Sequence, residues 1–190
     1  MTLLSIIDID KSIFTLINRE LTNSFLDSLL FYWRNQYTWI PVYIFIISYV
    51  GYNLKRKAYW FLFFLVLNFG MTDFVSSKIV KPLIERPRPC HVENETLQPR
   101  LLITCGSGYS FTSSHAANHF GIAFFLIFAL RKRNKVVSIL LFLWAFLVGY
   151  AQIYVGVHFP LDIIGGALLG VGIALISWEM YNWSMKKMAL

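Results

Sequence analysis

The sequence predicts an all-α fold: a polytopic membrane helix bundle of five to six spans, with an N-terminal amphipathic helix and a long polar loop on its outer face. Three observations carry this. Of the 190 residues, 57% are apolar and only 14% are charged, where a soluble domain averages about a quarter charged. The apolar residues gather in five stretches, residues 38–54, 58–80, 114–130, 135/136–155 and 160–184, whose cores hold only Asp73, Lys78, Asp162 and Glu179 as charged residues. Basic residues cluster at three places without any acid beside them: Lys55, Arg56 and Lys57; Arg131, Lys132 and Arg133 with Lys135; and Lys186 with Lys187. Nearly charge-free blocks of about 17–25 residues have the length needed to cross a bilayer. A soluble globular domain, a disordered chain and a secreted disulfide scaffold are excluded. Residues 1–190 form one integral membrane domain.

The chain opens with residues 10–34, where Ile13, Phe14, Ile17, Leu21, Leu26 and Leu30 recur at helical spacing and Lys11, Arg19, Glu20 and Asp27 fall between them. That pattern predicts an amphipathic helix in the membrane interface, broken near Asn23. A tilted sixth span is the alternative, at the cost of placing Arg19 and Glu20 in hydrocarbon. Asp8, Asp10 and the lack of an A-x-A site argue against a cleaved signal peptide.

Five spans then place all three basic clusters on one side, which the positive-inside rule makes cytoplasmic. The net charge of +7 thus reports topology, and no nucleic-acid partner is expected. The opposite face receives residues 81–113, a polar loop rich in proline and too irregular for one helix. It holds both cysteines, Cys90 and Cys105. An even pair on an oxidising side predicts a disulfide, with two free thiols as the alternative. Asn94, Glu95 and Thr96 form a glycosylation sequon of the kind that chance often produces. Asp73 lies inside a span and should have a polar partner.

Three segments converge on the outer face: Lys81 to Pro89, Tyr109 to His119, and Ala151 to Asp162. Lys81 and Arg88 are cations fit for phosphate, Arg as a fork and Lys as a point charge. Ser113 and Ser114 precede an apolar span, where a helix start offers free N–H groups to an anion. Asp162 follows His158 by four residues and can hold its imidazole, leaving the other ring nitrogen to attack. His115 can protonate a leaving oxygen. His115 and His119 have the spacing of a metal pair but no third ligand beside them, so no metal or other cofactor is expected.

This set resembles the signature of the type 2 phosphatidic acid phosphatase superfamily: Lys-x6-Arg-Pro, then Pro-Ser-Gly-His, then Ser-Arg-x5-His-x3-Asp. Lys81, Arg88 and Pro89 match the first part, Ser113 and His115 the second, and His158 and Asp162 the third. The resemblance covers roughly residues 20–184. It implies metal-independent hydrolysis of a lipid phosphate or pyrophosphate through a phosphohistidine on His158. Asp162 would orient that histidine and His115 would protonate the leaving group. Lys81, Arg88, Ser113 and Ser114 would hold the phosphoryl oxygens. A bacterial inner membrane, with the site facing the periplasm or cell exterior, and undecaprenyl pyrophosphate as substrate are the expectations. Phosphatidylglycerophosphate, phosphatidic acid and lipid A are the alternatives.

Thr112 and Ser114 replace the Pro and Gly of the second part. Gln152 stands where the third part has Arg, which removes a cation and leaves a neutral donor, weaker by its missing charge. The loss implies either lower activity or a different second cation such as Arg86 or Arg100. Failing that, the chain would bind lipid phosphate with little or no turnover.

Overall fold

The structure, a computed structural model, describes residues 5–91, 97–130 and 134–188. The sequon at residues 94–96 and the basic residues 131–133 lie outside them. All regular structure among the described residues is helical.

Helix α1 (Ile6–Thr15) starts at Ser5, whose hydroxyl accepts from the Asp8 N–H while the Asp8 carboxylate accepts from the Ser5 N–H. This reciprocal pair satisfies donors that a helix start leaves open. The helix ends in a wider turn at Leu16–Glu20, and Asn23 then caps α2 (Ser24–Trp33) by accepting from the Leu26 N–H. The segment is therefore two helices of ten residues each, divided at Asn23. Each reaches about 15 Å, half a hydrocarbon core.

Five apolar helices follow the five apolar stretches: α3 (Ile40–Leu54), α4 (Ala58–Phe74), α6 (Ser114–Leu130), α7 (Lys135–Tyr154) and α8 (Pro160–Met188). The short helix α5 (Lys81–Ile84) prolongs α4 through a π turn at Val75–Val80. Three helical runs, Gln36–Ile84, Lys135–Tyr154 and Pro160–Met188, have the length and hydropathy to cross a membrane. The first contains both α3 and α4, parted by a tight turn at Lys55–Lys57. Large side chains such as Phe45, Phe63, Val66, Ile139 and Leu168 face outward. A shell this apolar is stable only against lipid. The protein is an integral membrane protein.

The bundle is built around α6 and α8, which meet at a seam without large side chains. A Cβ on Gly170 would lie 2.3 Å from the Ala117 carbonyl oxygen, and one on Gly166 would lie 2.6 Å from that of Ser113. Glycine there lets the two backbones touch, as small residues do in membrane helix pairs. At one end, Phe61, Phe64 and Phe125 pack with Trp178 and Tyr181. The basic turn Lys55–Lys57 and the α8 terminus with Lys186 and Lys187 share that end. The starts of α6 and α8 and the end of α5 meet at the other.

Candidate active site

The turn between α7 and α8 sets up the site. Gly156 takes φ 89°, and a Cβ there would lie 2.6 Å from the Arg100 carbonyl oxygen, so only glycine fits. Pro160 then opens α8 at a position whose N–H is not needed. Asp162 folds back one turn, accepting from the Phe159 N–H at 2.8 Å, and its Oδ2 lies 3.4 Å from His158 Nδ1.

Arg88 fixes the tautomer of His158. An Arg88 Nη1 lies 3.3 Å from His158 Nε2. A guanidinium only donates, so Nε2 must accept and Nδ1 carries the proton. That proton points to Asp162 and to the Ser110 hydroxyl, 3.3 Å from Nδ1. Nε2 thus holds its lone pair toward the cations. Burial pushes the imidazole down to about 4, against the pull of its hydrogen bond and charge attraction to Asp162, so it is uncharged at neutral pH.

A cavity of about 290 Å³ lies above this nitrogen, lined among others by Lys81, Arg88, Ser114, His115, Gln152 and His158. The three sequence segments do converge. Lys81 Nζ donates to the carbonyls of Tyr109 at 2.9 Å and Ser110 at 3.3 Å, leaving one of its three donors for an anion. Arg88 also donates from Nε to the Gly108 carbonyl at 3.2 Å. Cys90 and Cys105 form a disulfide with Cα atoms 5.9 Å apart. It closes the segment that carries Gly106 against the Arg88 guanidinium.

Ser113 is placed differently from the other residues of the set. Its N–H donates to the Asp162 carbonyl at 3.0 Å, and its hydroxyl accepts from the Ala116 N–H at 3.4 Å. It caps α6 and ties α6 to α8 rather than lining the cavity. Neither expected replacement for the missing Arg is available. Arg86 bridges Asp10 and Asp162 and lies 4.2 Å over the Phe159 ring. Arg100 pairs with Asp27. Both guanidiniums are held by carboxylates that the sequence places far away. Asp73 has the partner expected of it: Asn118 Nδ2 donates to Asp73 Oδ1 at 3.0 Å. His119 Nδ1 bonds the His115 carbonyl one turn back at 2.8 Å, and its ring packs 4.9 Å from Trp144.

Sequence patterns missed three residues. Ser110 donates to Asp162 Oδ2 and neighbours His158. Asp10, 2% exposed, accepts from Arg86 and from the Leu161 N–H. Arg34, at the end of α2, lines the cavity. Asp10 carried a signal, since it is a lone charge on the mostly apolar face of a short helix. Ser110 carried none beyond its place three residues before Ser113.

A second, larger cavity of about 610 Å³ opens beside the first. Its walls come from α3, α4 and α6, with Tyr43, Ile46, Ile47, Leu65, Val66, Phe69 and Ile122 prominent. Ser114 and His115 line both cavities.

An apolar bundle carrying a cationic, histidine-bearing cavity at one end defines a membrane-embedded phosphatase of the phosphoric monoester hydrolase class. Residues 57–186 match the model of the PAP2 superfamily, and the chain belongs to that family. It is 32% identical over 170 residues to the lipid A 4'-phosphatase of Bacteroides thetaiotaomicron, covering 86% of this chain and 72% of the relative. It is 35% identical over 128 residues to the phosphatidylglycerophosphatase B of Bacillus subtilis, covering 64% and 58%. The crystal structure of Aquifex aeolicus LpxE superposes with a TM-score of 0.69 at 26% identity, covering 94% of this chain and 99% of that one.

Proposed function

We propose that the protein removes phosphate from a membrane lipid at the outer face of a bacterial inner membrane, with His158 as nucleophile. One observation carries this. The cationic cavity and the apolar cavity share Ser114 and His115 as a common wall. A lipid with its chains along α3, α4 and α6 has its headgroup delivered to Lys81, Arg88 and His158 without leaving hydrocarbon.

In the first step Nε2 of His158 attacks phosphorus and the bond to the lipid oxygen breaks. Lys81, Arg88 and the start of α6 hold the charge that spreads over the phosphoryl oxygens. His115, drawn into its protonated form by the negative charge of the incoming phosphate, gives that proton to the departing lipid oxygen. Asp162, itself held by Ser110 and Arg86, stabilises the positive imidazole through Nδ1–H. In the second step His115 takes a proton from water, whose oxygen attacks phosphorus, and the P–N bond breaks to free phosphate and His158.

The 4'-phosphate of a lipid A-type glycolipid is the substrate best supported. The lipid A 4'-phosphatases of Bacteroides thetaiotaomicron and Porphyromonas gingivalis align over 86% and 96% of this chain. This displaces the undecaprenyl pyrophosphate expected from sequence to second place, where an undecaprenyl-diphosphatase of Sulfolobus acidocaldarius, 31% identical over 147 residues, keeps it in view.

The test is phosphate release by the detergent-solubilised protein in EDTA from lipid A, undecaprenyl pyrophosphate, phosphatidylglycerophosphate and phosphatidic acid. Release should be fastest from lipid A and should fall at least about 1,000-fold in His158→Ala. Undiminished release by that variant would remove the histidine mechanism, and a different leading lipid would replace the substrate.

A further inference from the structure

Two buried nitrogens beside the cationic cavity have no hydrogen-bond partner: Nε of Arg34 and Nε2 of Gln152. Both side chains line that cavity together with Lys81, Arg88, His115 and His158. Gln152 is 1% exposed, so its amide has no recourse to bulk water. Arg34 is set firmly in place. Its N–H closes α2 on the Leu30 carbonyl at 3.1 Å, and the next N–H, of Asn35, donates to the Tyr32 carbonyl at 3.1 Å. The preceding Trp33 stacks edge-on with Trp39 at 4.8 Å, and Trp39 Nε1 donates to the Trp33 carbonyl at 2.7 Å.

Among the described residues every ion pair goes to Arg86, Arg100 or His158, and none to Arg34. A partly buried guanidinium without a carboxylate is costly in an empty fold. The cost is met when the cavity's ligand is an anion. The signature these residues resemble places a phosphate-gripping Arg where α7 carries Gln152. The loss on α7 and the unmatched cation on α2 face the same cavity.

We propose that Arg34 supplies from α2 the cation missing from α7, and that Arg34 and Gln152 together bind a phosphoryl oxygen of the substrate. This rests on the phosphatase reading given above. The guanidinium brings the charge and the amide a second N–H. Helix α2 thereby furnishes a substrate ligand.

Orthovanadate, a mimic of the pentacoordinate phosphorus, is the probe, with affinity read from protection of the full-length protein against thermal unfolding. Arg34→Ala should weaken vanadate binding about 10- to 100-fold. Arg34→Lys should recover part of it, since the charge remains and the fork is lost. Arg34→Ala with Gln152→Arg should recover most of it by returning the cation to α7. Arg34→Gln keeps a polar, uncharged side chain with part of the stem and serves if Arg34→Ala fails to fold. Wild-type affinity in the folded Ala or Gln variant overturns the proposal, as does a double variant no better than the single one. Lipid phosphate release is a separate arm. A wild-type protein that binds vanadate through Arg34 but releases no phosphate sinks the phosphatase reading alone. Normal release with vanadate binding indifferent to Arg34 sinks the role of Arg34 alone.

Discussion

The two sides of α6 are built on opposite principles. Toward α8 it carries Ala117 and Gly121 against Gly166 and Gly170, and the backbones meet with no room for a methyl group. Toward α3 and α4 it carries Asn118 and Ile122, and a cavity of about 610 Å³ remains open. The closed side holds Ser113 against Asp162, which fixes the start of α6 to the nucleophile's helix. The open side leaves His115 accessible from the apolar exterior. One helix therefore serves as both rigid support and entrance wall, and small residues decide which face does which.

The sharpest way to break this contrast is to thicken the closed side. Gly170→Leu drives a side chain into the Ala117 carbonyl and should cost about 3 kcal/mol or abolish folding. A melting temperature in detergent equal to that of wild type would contradict the seam. Filling the open side should act on substrate and leave stability alone. Val66→Trp, at a position 69% exposed and lining the apolar cavity, should raise KM for a long-chain lipid phosphate on the order of tenfold. Its rate on a water-soluble phosphomonoester should not change, and a parallel loss on both substrates would argue against lipid entry here. The mildest change tests the support behind the site. Asp10→Asn leaves Arg86 with one carboxylate and loosens Asp162. It should lower kcat about tenfold or less with KM unchanged; a rise in KM with kcat intact would assign Asp10 to binding.

The helices and the reacting residues were legible because each obeys a local rule. Charge-free length marks the five apolar helices, and the spacing of His158 to Asp162 is one helical turn. Asn23 announced the break between α1 and α2 because an Asn at a helix start has a bond to make. The partners of Arg86 and Arg100 were not legible. Asp10 and Asp27 are 76 and 73 residues away from them, and no periodicity connects such positions. The same holds for Ser113, whose hydroxyl could serve an anion or a helix cap equally well until the packing of α6 on α8 turned it inward. Arg34 escaped for a related reason. An arginine at the end of a short amphipathic helix resembles any interfacial cation until the fold carries it over the cavity.

Asp10 also sets the order in which the molecule can be completed. It accepts from the Leu161 N–H, 151 residues further along the chain. On a growing chain, α1 is made first; its buried carboxylate can meet Arg86 once that residue appears, but its second partner, the Leu161 N–H, comes only with α8. Contacts of such separation are the slow ones to form. The chemical centre is therefore sealed only after α8 has entered the bundle. A chain cut short before Pro160 would lack α8 and Asp162 and have no working centre.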